Sequence, residues 1–222
     1  MKKLVLFLVL AALVAGGAFA LPEFKLSAGA GGYFTSDFGG GVEASFGGMT
    51  LVSMKTPYFG GGGFAFVDVT IAELSVGFFG GGGTFITETL GNLTLKNNLS
   101  LMGLDISFLG KFPFAINENL SVFPLLGVTY RVMLSVKDED GNAYQNSAGD
   151  DAPGDFSAMW YKLGGGVDYS FTYSIYLRVE ALYGLRLASK FEKDLISSLG
   201  PIDTKTLLGH GFEAKLAVGF RF

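Results

Sequence analysis

Few residues of this 222-residue chain could carry out chemistry. It has one histidine, His210, and no cysteine, which excludes thiolate nucleophiles, disulfides, zinc–thiolate sites and sites built from several histidines. A serine nucleophile needs a base beside it, but the sequence neighbours of His210 are Gly209, Gly211 and Phe212. We therefore predict that the protein is not an enzyme and that it carries no cofactor.

Two further features resemble ligand sites without matching them. The Asp-x-Asp-x-Asn spacing at 138–142 starts like a calcium loop, but the sixth and twelfth positions hold Ala143 and Gly149 instead of Gly and Glu. Two runs of four glycines lack the Lys-Ser/Thr that follows a phosphate-binding loop. The stretch 138–155 has six acids and no base, which predicts a solvated acidic loop, with loose bridging by divalent cations as the alternative. No metal or nucleotide site is predicted.

The charged residues are the most informative candidates, because they alternate with apolar residues. Residues 176–188 and 210–222 show this period of two most clearly, and 121–137 and 159–171 repeat it. One face of each predicted strand is therefore apolar, and the other face carries the charges. The main members of the charged face are Asp105, Arg131, Lys162, Asp168, Arg178, Glu180, Arg186, Glu213 and Lys215, and Lys25, Asp68, Glu73 and Arg221 share it by parity. Because an unpaired buried charge costs several kcal/mol, their near balance of signs predicts an ion-paired network.

The composition indicates which solvent these strands face. Hydrophobic residues make up 49% of the chain, charged residues 16%, and the mean hydropathy is +0.42. After residue 20 the longest uncharged stretch is the 14 residues Leu74 to Thr87, which as a helix would span about 21 Å of a hydrocarbon core about 30 Å thick. Since only helices and closed barrels satisfy every backbone group in lipid, we predict an all-β transmembrane antiparallel up-and-down β-barrel.

The alternation predicts eight strands joined by short and long connections in turn, with strands near 58–69, 73–86 and 99–110 in the glycine-rich first half. A ten-stranded barrel is the alternative, if Val42 to Met54 forms its own hairpin. The short connections are predicted near 70–72, 111–119 and 172–174. The long ones, which are candidate sites for a surface ligand, are predicted near 35–57, 87–98, 138–156 and 189–208.

The first twenty residues are typical of a secretory signal peptide. Lys2 and Lys3 precede an apolar run from Leu4 to Val14, and Ala18-Phe19-Ala20 matches a cleavage site. We expect residues 1–20 to be cleaved and 21–222 to form the barrel; an uncleaved anchor is the alternative. The net charge of −4 and pI of about 5.0 argue against binding of nucleic acid.

The chain ends Gly219-Phe220-Arg221-Phe222, with apolar residues at alternate positions before it. This resembles the C-terminal strand of bacterial outer-membrane barrels, and residues 21–222 resemble the small barrels of the OmpA, OmpX and OmpW type in length, alternation and loop layout. The resemblance implies export to the outer membrane of a diderm bacterium, contact with outer-membrane lipid, and insertion by the barrel-assembly machinery. It also implies that Phe222 and Phe220 belong to the assembly signal.

Two functions follow for such a barrel. Eight strands leave an interior just wide enough for side chains to fill, which favours a structural or surface-interaction protein with a plugged polar lumen. The alternative is an OmpW-like narrow channel for small apolar solutes. That channel would need a continuous apolar cavity in its outer half, lined by Tyr58, Phe64, Phe66, Phe79, Leu125 and Trp160.

Overall fold

A computed structural model of the protein describes residues 25–47, 49–89, 93–145, 149–198 and 203–222. The predicted signal peptide lies outside these residues. The strands are β1 (Leu26–Asp37), β2 (Gly41–Phe46), β3 (Met49–Lys55), β4 (Tyr58–Val69), β5 (Ala72–Thr89), β6 (Leu93–Lys111), β7 (Phe114–Ala115), β8 (Leu120–Lys137), β9 (Ala158–Ser170), β10 (Ile175–Arg186), β11 (Asp203–Leu207) and β12 (Gly209–Arg221). A 3₁₀ turn (Pro153–Phe156) precedes β9, and helix α1 (Lys190–Ser198) precedes β11.

Eight of these strands close into a barrel. The order around the ring is β1, β4, β5, β6, β8, β9, β10 and β12, every pair is antiparallel, and β12 pairs with β1 to close it. Strands that follow one another along the chain at this level are neighbours in the ring, so the topology is up-and-down. The predicted all-β antiparallel barrel of eight strands is confirmed.

The ten-stranded alternative is wrong, although residues 42–54 do form the hairpin that it required. The hairpin β2–β3 does not enter the ring. Strand β3 pairs with the end of β5, from Val52 opposite Thr89 to Lys55 opposite Ile86, and β11 pairs with the other side of β2. Strands β3, β2 and β11 thus continue β4, β1 and β12 in the same lateral order. They extend the wall on one side of the barrel.

Several predicted connections are too long, because the strands run beyond the apolar pattern. Strand β5 reaches Thr89 and β6 begins at Leu93, so most of the predicted loop near 87–98 is strand. The predicted loop near 189–208 holds α1 and β11 instead. Beyond the lipid both strand faces can meet water, so strands such as the start of β6, with Lys96, Asn97 and Asn98, lose their apolar alternation. Hydrophobic period alone therefore marks the part of each strand that faces lipid.

The outer surface of the ring is an exposed apolar band. Its members include Val67, Leu74, Val76, Leu216 and Val218, all about half exposed. At the end with the short connections, called the turn end, the exposed aromatic residues include Phe112, Phe171, Tyr173, Phe220 and Phe222. At the opposite or loop end they include Phe34, Phe38, Phe59 and Tyr183. An apolar band between two aromatic girdles is the surface that a barrel presents to a bilayer.

Among the described residues, no helix has both the length and the apolar character needed to cross a membrane.

The facing glycine runs leave β4 and β5 without side chains over several paired positions. Gly60 lies opposite Gly81, and Gly61 lies opposite Gly80. A β-carbon added at Gly62 would lie only 1.8 Å from the carbonyl oxygen of Phe78, so this inward position accepts no side chain without a backbone shift. The missing side chains leave interior space that large aromatic rings such as Tyr33 and Phe79 occupy.

Candidate functional site

The candidate site is the charged interior of the barrel. Strand alternation directs one side chain in two inward, and all nine residues of the predicted charged face are buried there. Their charges make contacts at successive levels from the turn end to the loop end.

At the turn end, one guanidinium holds three carboxylates that come from three other strands. Arg178 on β10 donates to both oxygens of Asp168 on β9, at 2.8 Å from Nε and 2.9 Å from Nη2. It also donates to Glu73 on β5 at 2.7 Å and to Asp68 on β4 at 2.5 Å. Lys111 at the end of β6 donates to Asp68 at 2.5 Å and to Asp168 at 3.4 Å. These contacts cross the lumen and tie five strands together.

In the middle of the barrel, Lys215 lies among three glutamates. Its Nζ is 3.4 Å from a carboxylate oxygen of Glu213, 3.6 Å from Glu180 and 4.0 Å from Glu73. Lys162 on β9 adds a 2.5 Å hydrogen bond to Glu213. Neither carboxylate oxygen of Glu180 has a hydrogen-bond partner among the described residues, and its nearest cations are Lys215 at 3.6 Å and Arg178 at 3.8 Å.

Towards the loop end, Asp105 and Arg131 form a two-pronged ion pair between β6 and β8. Arg131 donates from Nε and Nη2 to the two oxygens of Asp105, both at 2.6 Å. The Tyr33 hydroxyl also donates to Asp105 at 3.2 Å, and Arg131 donates to Thr35 at 3.2 Å. The Arg131 guanidinium lies 4.4 Å from the centre of the Phe79 ring. Such planar, bidentate pairing is the strong form of a charge-assisted hydrogen bond.

Helix α1 covers the loop end through another arginine. Arg186 donates to both oxygens of Glu192 in α1, at 2.9 and 2.8 Å, and its Nε lies 2.7 Å from Asp37. The backbone N–H and hydroxyl of Ser189 also donate to Glu192, at 2.7 and 3.0 Å. Beside them the rings of Phe156 and Phe191 stack at 4.6 Å. The helix is therefore joined to the barrel by buried charges and by aromatic contacts.

The sequence reasoning missed three members of these ion pairs. Lys111, Asp37 and Glu192 lie in segments that the alternation predicts as connections, whereas the structure buries all three. Two signals were available. Lys111 shares its parity with Asp105 along β6, and Ser189-x-x-Glu192 has the spacing of a capping box at a helix start.

The six apolar residues of the channel hypothesis are all buried, but they pack between the charges. Phe64 lies under Lys215 at 5.1 Å and Phe66 under Arg178 at 4.6 Å. The rings around Arg131 are Tyr58, Phe79 and Trp160, and Leu125 lies in a separate cluster with Leu109, Phe123 and Leu182. Cavities found among the described residues at these levels measure about 30 Å³ below α1 and about 10 Å³ beside Trp160.

A larger cavity of about 340 Å³ lies at the turn end, and we call it the cup. Its floor is the layer of Lys111, Arg178, Asp68 and Asp168 described above. Arg221 at the end of β12 also lines it, together with hydroxyl and amide side chains: Ser27, Thr70, Asn117, Asn119, Ser121 and Ser170. Lys25, which the parity placed on the charged face, lies at this mouth and is exposed.

The remaining candidates lie on the outside. His210 is exposed on β12, with the rings of Phe38 and Tyr183 at 6.0 and 6.2 Å. Within the described part of the chain, no group of three or more histidine, cysteine or acidic residues could hold a metal ion. In the acidic loop, hydrogen bonds from Asn142 hold the pKa of Asp138 below its usual value. The rings of Phe220 and Phe222 meet edge to face at 5.3 Å on the outer surface of the turn end, and their role in assembly stays a prediction.

Comparison with known proteins rests on structure. No protein-family profile matches the sequence, and no curated protein sequence matches it. The outer membrane protease OmpT of Escherichia coli superposes with a TM-score of 0.50 at 9% identity, over 91% of this chain and 98% of OmpT. This chain has the fold of an outer-membrane β-barrel. Two further barrels are OprG of Pseudomonas aeruginosa, with TM-score 0.49 and 8% identity over 90% and 96% of the chains, and Ail of Yersinia pestis, with 0.38 and 13% over 90% and 99%.

Proposed function

We propose that the protein is an integral outer-membrane barrel with a structural or surface-interaction role, and that its lumen is closed to solutes. The exposed apolar band and its two aromatic girdles support a position in a bilayer with the turn end towards the periplasm. Export by a cleaved signal peptide and insertion by the barrel-assembly machinery belong to the same proposal. The extended wall and α1 would then present a surface outside the cell.

The observation that carries the proposal is the ion pairing across the lumen at successive levels. Arg178 is held by carboxylates of β4, β5 and β9, and Lys215 on β12 lies near Glu73 of β5 and Glu180 of β10. An ionic current needs a continuous path of water between the two ends. Side chains that pair across an eight-stranded interior occupy that path, because such a ring has little width beyond them.

Catalysis is not part of the proposal. His210 faces outward between aromatic rings, with no serine next to it on its strand. A general base must lie within hydrogen-bond reach of the group that it activates, and lipid-facing rings offer none. The protein would therefore act through its surface or its mechanical presence in the membrane.

Conductance in planar bilayers tests the proposal. We expect no steady ionic current from the protein under conditions in which a 16-stranded porin conducts. A variant with α1 replaced by a flexible polar segment is the informative partner, because the ion pairs below the helix remain. This variant should also carry no ionic current if the ion pairs, rather than α1, close the lumen.

Channel openings of the unmodified protein would count against the proposal. Steady openings of the unmodified protein, comparable with those of the porin, would contradict the closed lumen. Small, rare openings that become more frequent with an added apolar solute would instead favour the narrow OmpW-like channel.

A further inference from the structure

The cup at the turn end has unused hydrogen-bond donors facing a space large enough for a small molecule. Its volume of about 340 Å³ falls within the range of small-ligand sites, and its floor is closed by the buried Arg178 cluster. Water or a solute can therefore enter from the turn end and stops at the charged layer.

The acidic groups of the floor already accept hydrogen bonds. Asp68 Oδ2 accepts from both Lys111 and Arg178. Asp168 accepts from Arg178 at both of its oxygens and from Lys111 at one. The floor therefore offers few strong acceptors to a ligand, although Glu118 on the rim adds one negative charge.

Among the described residues, Arg221 donates fewer side-chain hydrogen bonds than the floor cations Lys111 and Arg178. Its Nη1 donates to the Ser170 hydroxyl at 2.7 Å, and its Nη2 lies 4.0 Å from Asp168, too far for a hydrogen bond. The ring of Tyr176 lies 4.6 Å from the guanidinium and supports its plane. The side chain of Arg221 is 27% exposed. Most of its guanidinium group is therefore held in place by neighbouring residues, while part of it faces the cavity.

We propose that the cup binds a small oxyanion, a carboxylate or phosphate group, through the guanidinium of Arg221. A supported planar fork matches two oxygens of such a group, and the surrounding hydroxyl and amide groups of Ser121, Asn119 and Ser170 supply neutral hydrogen bonds. Arg221 acts here as a binding residue. The proposal does not depend on whether the lumen conducts.

Titration of the refolded full chain in detergent tests the site. Inorganic phosphate and succinate are the two probes, each compared with chloride at equal ionic strength, and the readout is the NMR signal of the Arg221 Nε–H group. We expect saturable shifts with at least one oxyanion and none with chloride. Saturation by phosphate alone would assign a phosphate site, and saturation by succinate alone would assign a carboxylate site. Shifts that follow ionic strength alone, with chloride equally effective, would overturn the proposal.

Two pairs of variants distinguish binding at a specific site from nonspecific electrostatic attraction of the anion. Arg221→Gln should weaken binding about tenfold, followed through backbone amides of the cup, whereas Lys96→Gln on exposed β6 should not change it. Ala115→Trp should block the cup by volume without removing a charge, and the neighbouring Ile116→Trp, outside the lining, is its control. Ala115→Trp stays informative if Arg221→Gln fails to fold. Wild-type affinity in Ala115→Trp would overturn the proposal.

Discussion

Arg178 illustrates how a single buried residue can hold the interior together. It donates four hydrogen bonds to Asp68, Glu73 and Asp168, and its side chain is 1% exposed. Arg178→Ala would leave Asp68 and Asp168 competing for Lys111, and Glu73 with Lys215 at 4.0 Å, so at least one buried charge would lose its main partner. We expect the free energy of unfolding in detergent to fall by about 3–5 kcal/mol.

The control for that measurement is Lys193→Ala, a change at an exposed position of α1 that should shift stability by less than about 0.5 kcal/mol. Denaturant titration followed by circular dichroism reports both variants. A loss below about 1 kcal/mol in Arg178→Ala would mean that water solvates the carboxylates and that this level of the lumen is wet.

The Lys162–Glu213 pair allows a second prediction at the residue scale. Its 2.5 Å contact is buried, and Glu213 also lies 3.4 Å from Lys215. Lys162→Met or Glu213→Gln alone leaves one charge without its main partner, while the double variant removes both. We expect the double variant to be more stable than the sum of the single effects predicts, by about 1–3 kcal/mol. Additive losses in the same denaturant titration would show that the two side chains are not coupled.

How much of the site could be predicted depended on where each residue stands along its strand. Within the apolar pattern, parity alone put residues such as Arg131 and Glu213 on the inner face. Asp37 and Lys111 stand at the ends of β1 and β6, where that pattern has stopped. The same pattern could not predict which residues form ion pairs with each other. Arg178 meets Asp68 and Glu73 across the lumen, and a one-dimensional pattern contains no information on that distance.

At the scale of elements, one carboxylate makes most of the polar contacts of α1. Glu192 accepts from Arg186 and from Ser189, so it both caps the helix and joins it to the barrel. Glu192→Ala should raise the population of the open helix by about 5- to 30-fold, since a cap and a buried ion pair each contribute on the order of 1 kcal/mol or more. Hydrogen exchange of the α1 amides measures this change.

Asp194→Ala is the matched control in the same helix. Its carboxylate is exposed, and its contact with Lys190 is 3.9 Å long, so its removal should leave exchange nearly unchanged. Equal acceleration in both variants would show that the buried contact with Arg186 stabilises α1 no more than an exposed carboxylate does, since both changes to Ala raise helix propensity.

The strands of the ring could be predicted, whereas the extended wall could not. Ring strands meet lipid on one face and packed side chains on the other, which imposes the period of two. Strands β2, β3 and β11 lie beyond that constraint, and β11 pairs with β2 across about three quarters of the chain, as with Asp203 opposite Ser45. No local feature of the sequence predicts a pairing between segments that are so far apart along the chain. Pro57 lies between β3 and β4, where it separates the extended wall from the ring strand.

At the scale of the whole molecule, the pairing of β1 with β12 closes the barrel. We call this pairing the seam. These strands come from opposite ends of the described chain, so their pairing closes the longest loop that the fold contains. Closure removes the free strand edges of the ring, which explains why barrels of this type resist detergents that unzip open sheets. The folded protein should therefore be mostly β by circular dichroism and should migrate differently on gels before and after boiling.

A matched pair of glycines in β1 tests the seam directly. A β-carbon at Gly31, opposite Ala217, would lie 2.0 Å from the carbonyl oxygen of Leu216, and backbone atoms of a paired strand cannot move aside cheaply. At the next residue, Gly32, the nearest atom to an added β-carbon is 3.6 Å away and the position is exposed on the lipid side. Gly31→Val should lower the temperature at which the gel shift is lost, by several degrees or more, because the seam must separate locally. Gly32→Val places a β-branched side chain on the exposed face at an ordinary contact distance and should keep the original temperature. If both variants keep it, the seam is looser than its register indicates, and closure must be secured by the ion pairs inside the barrel.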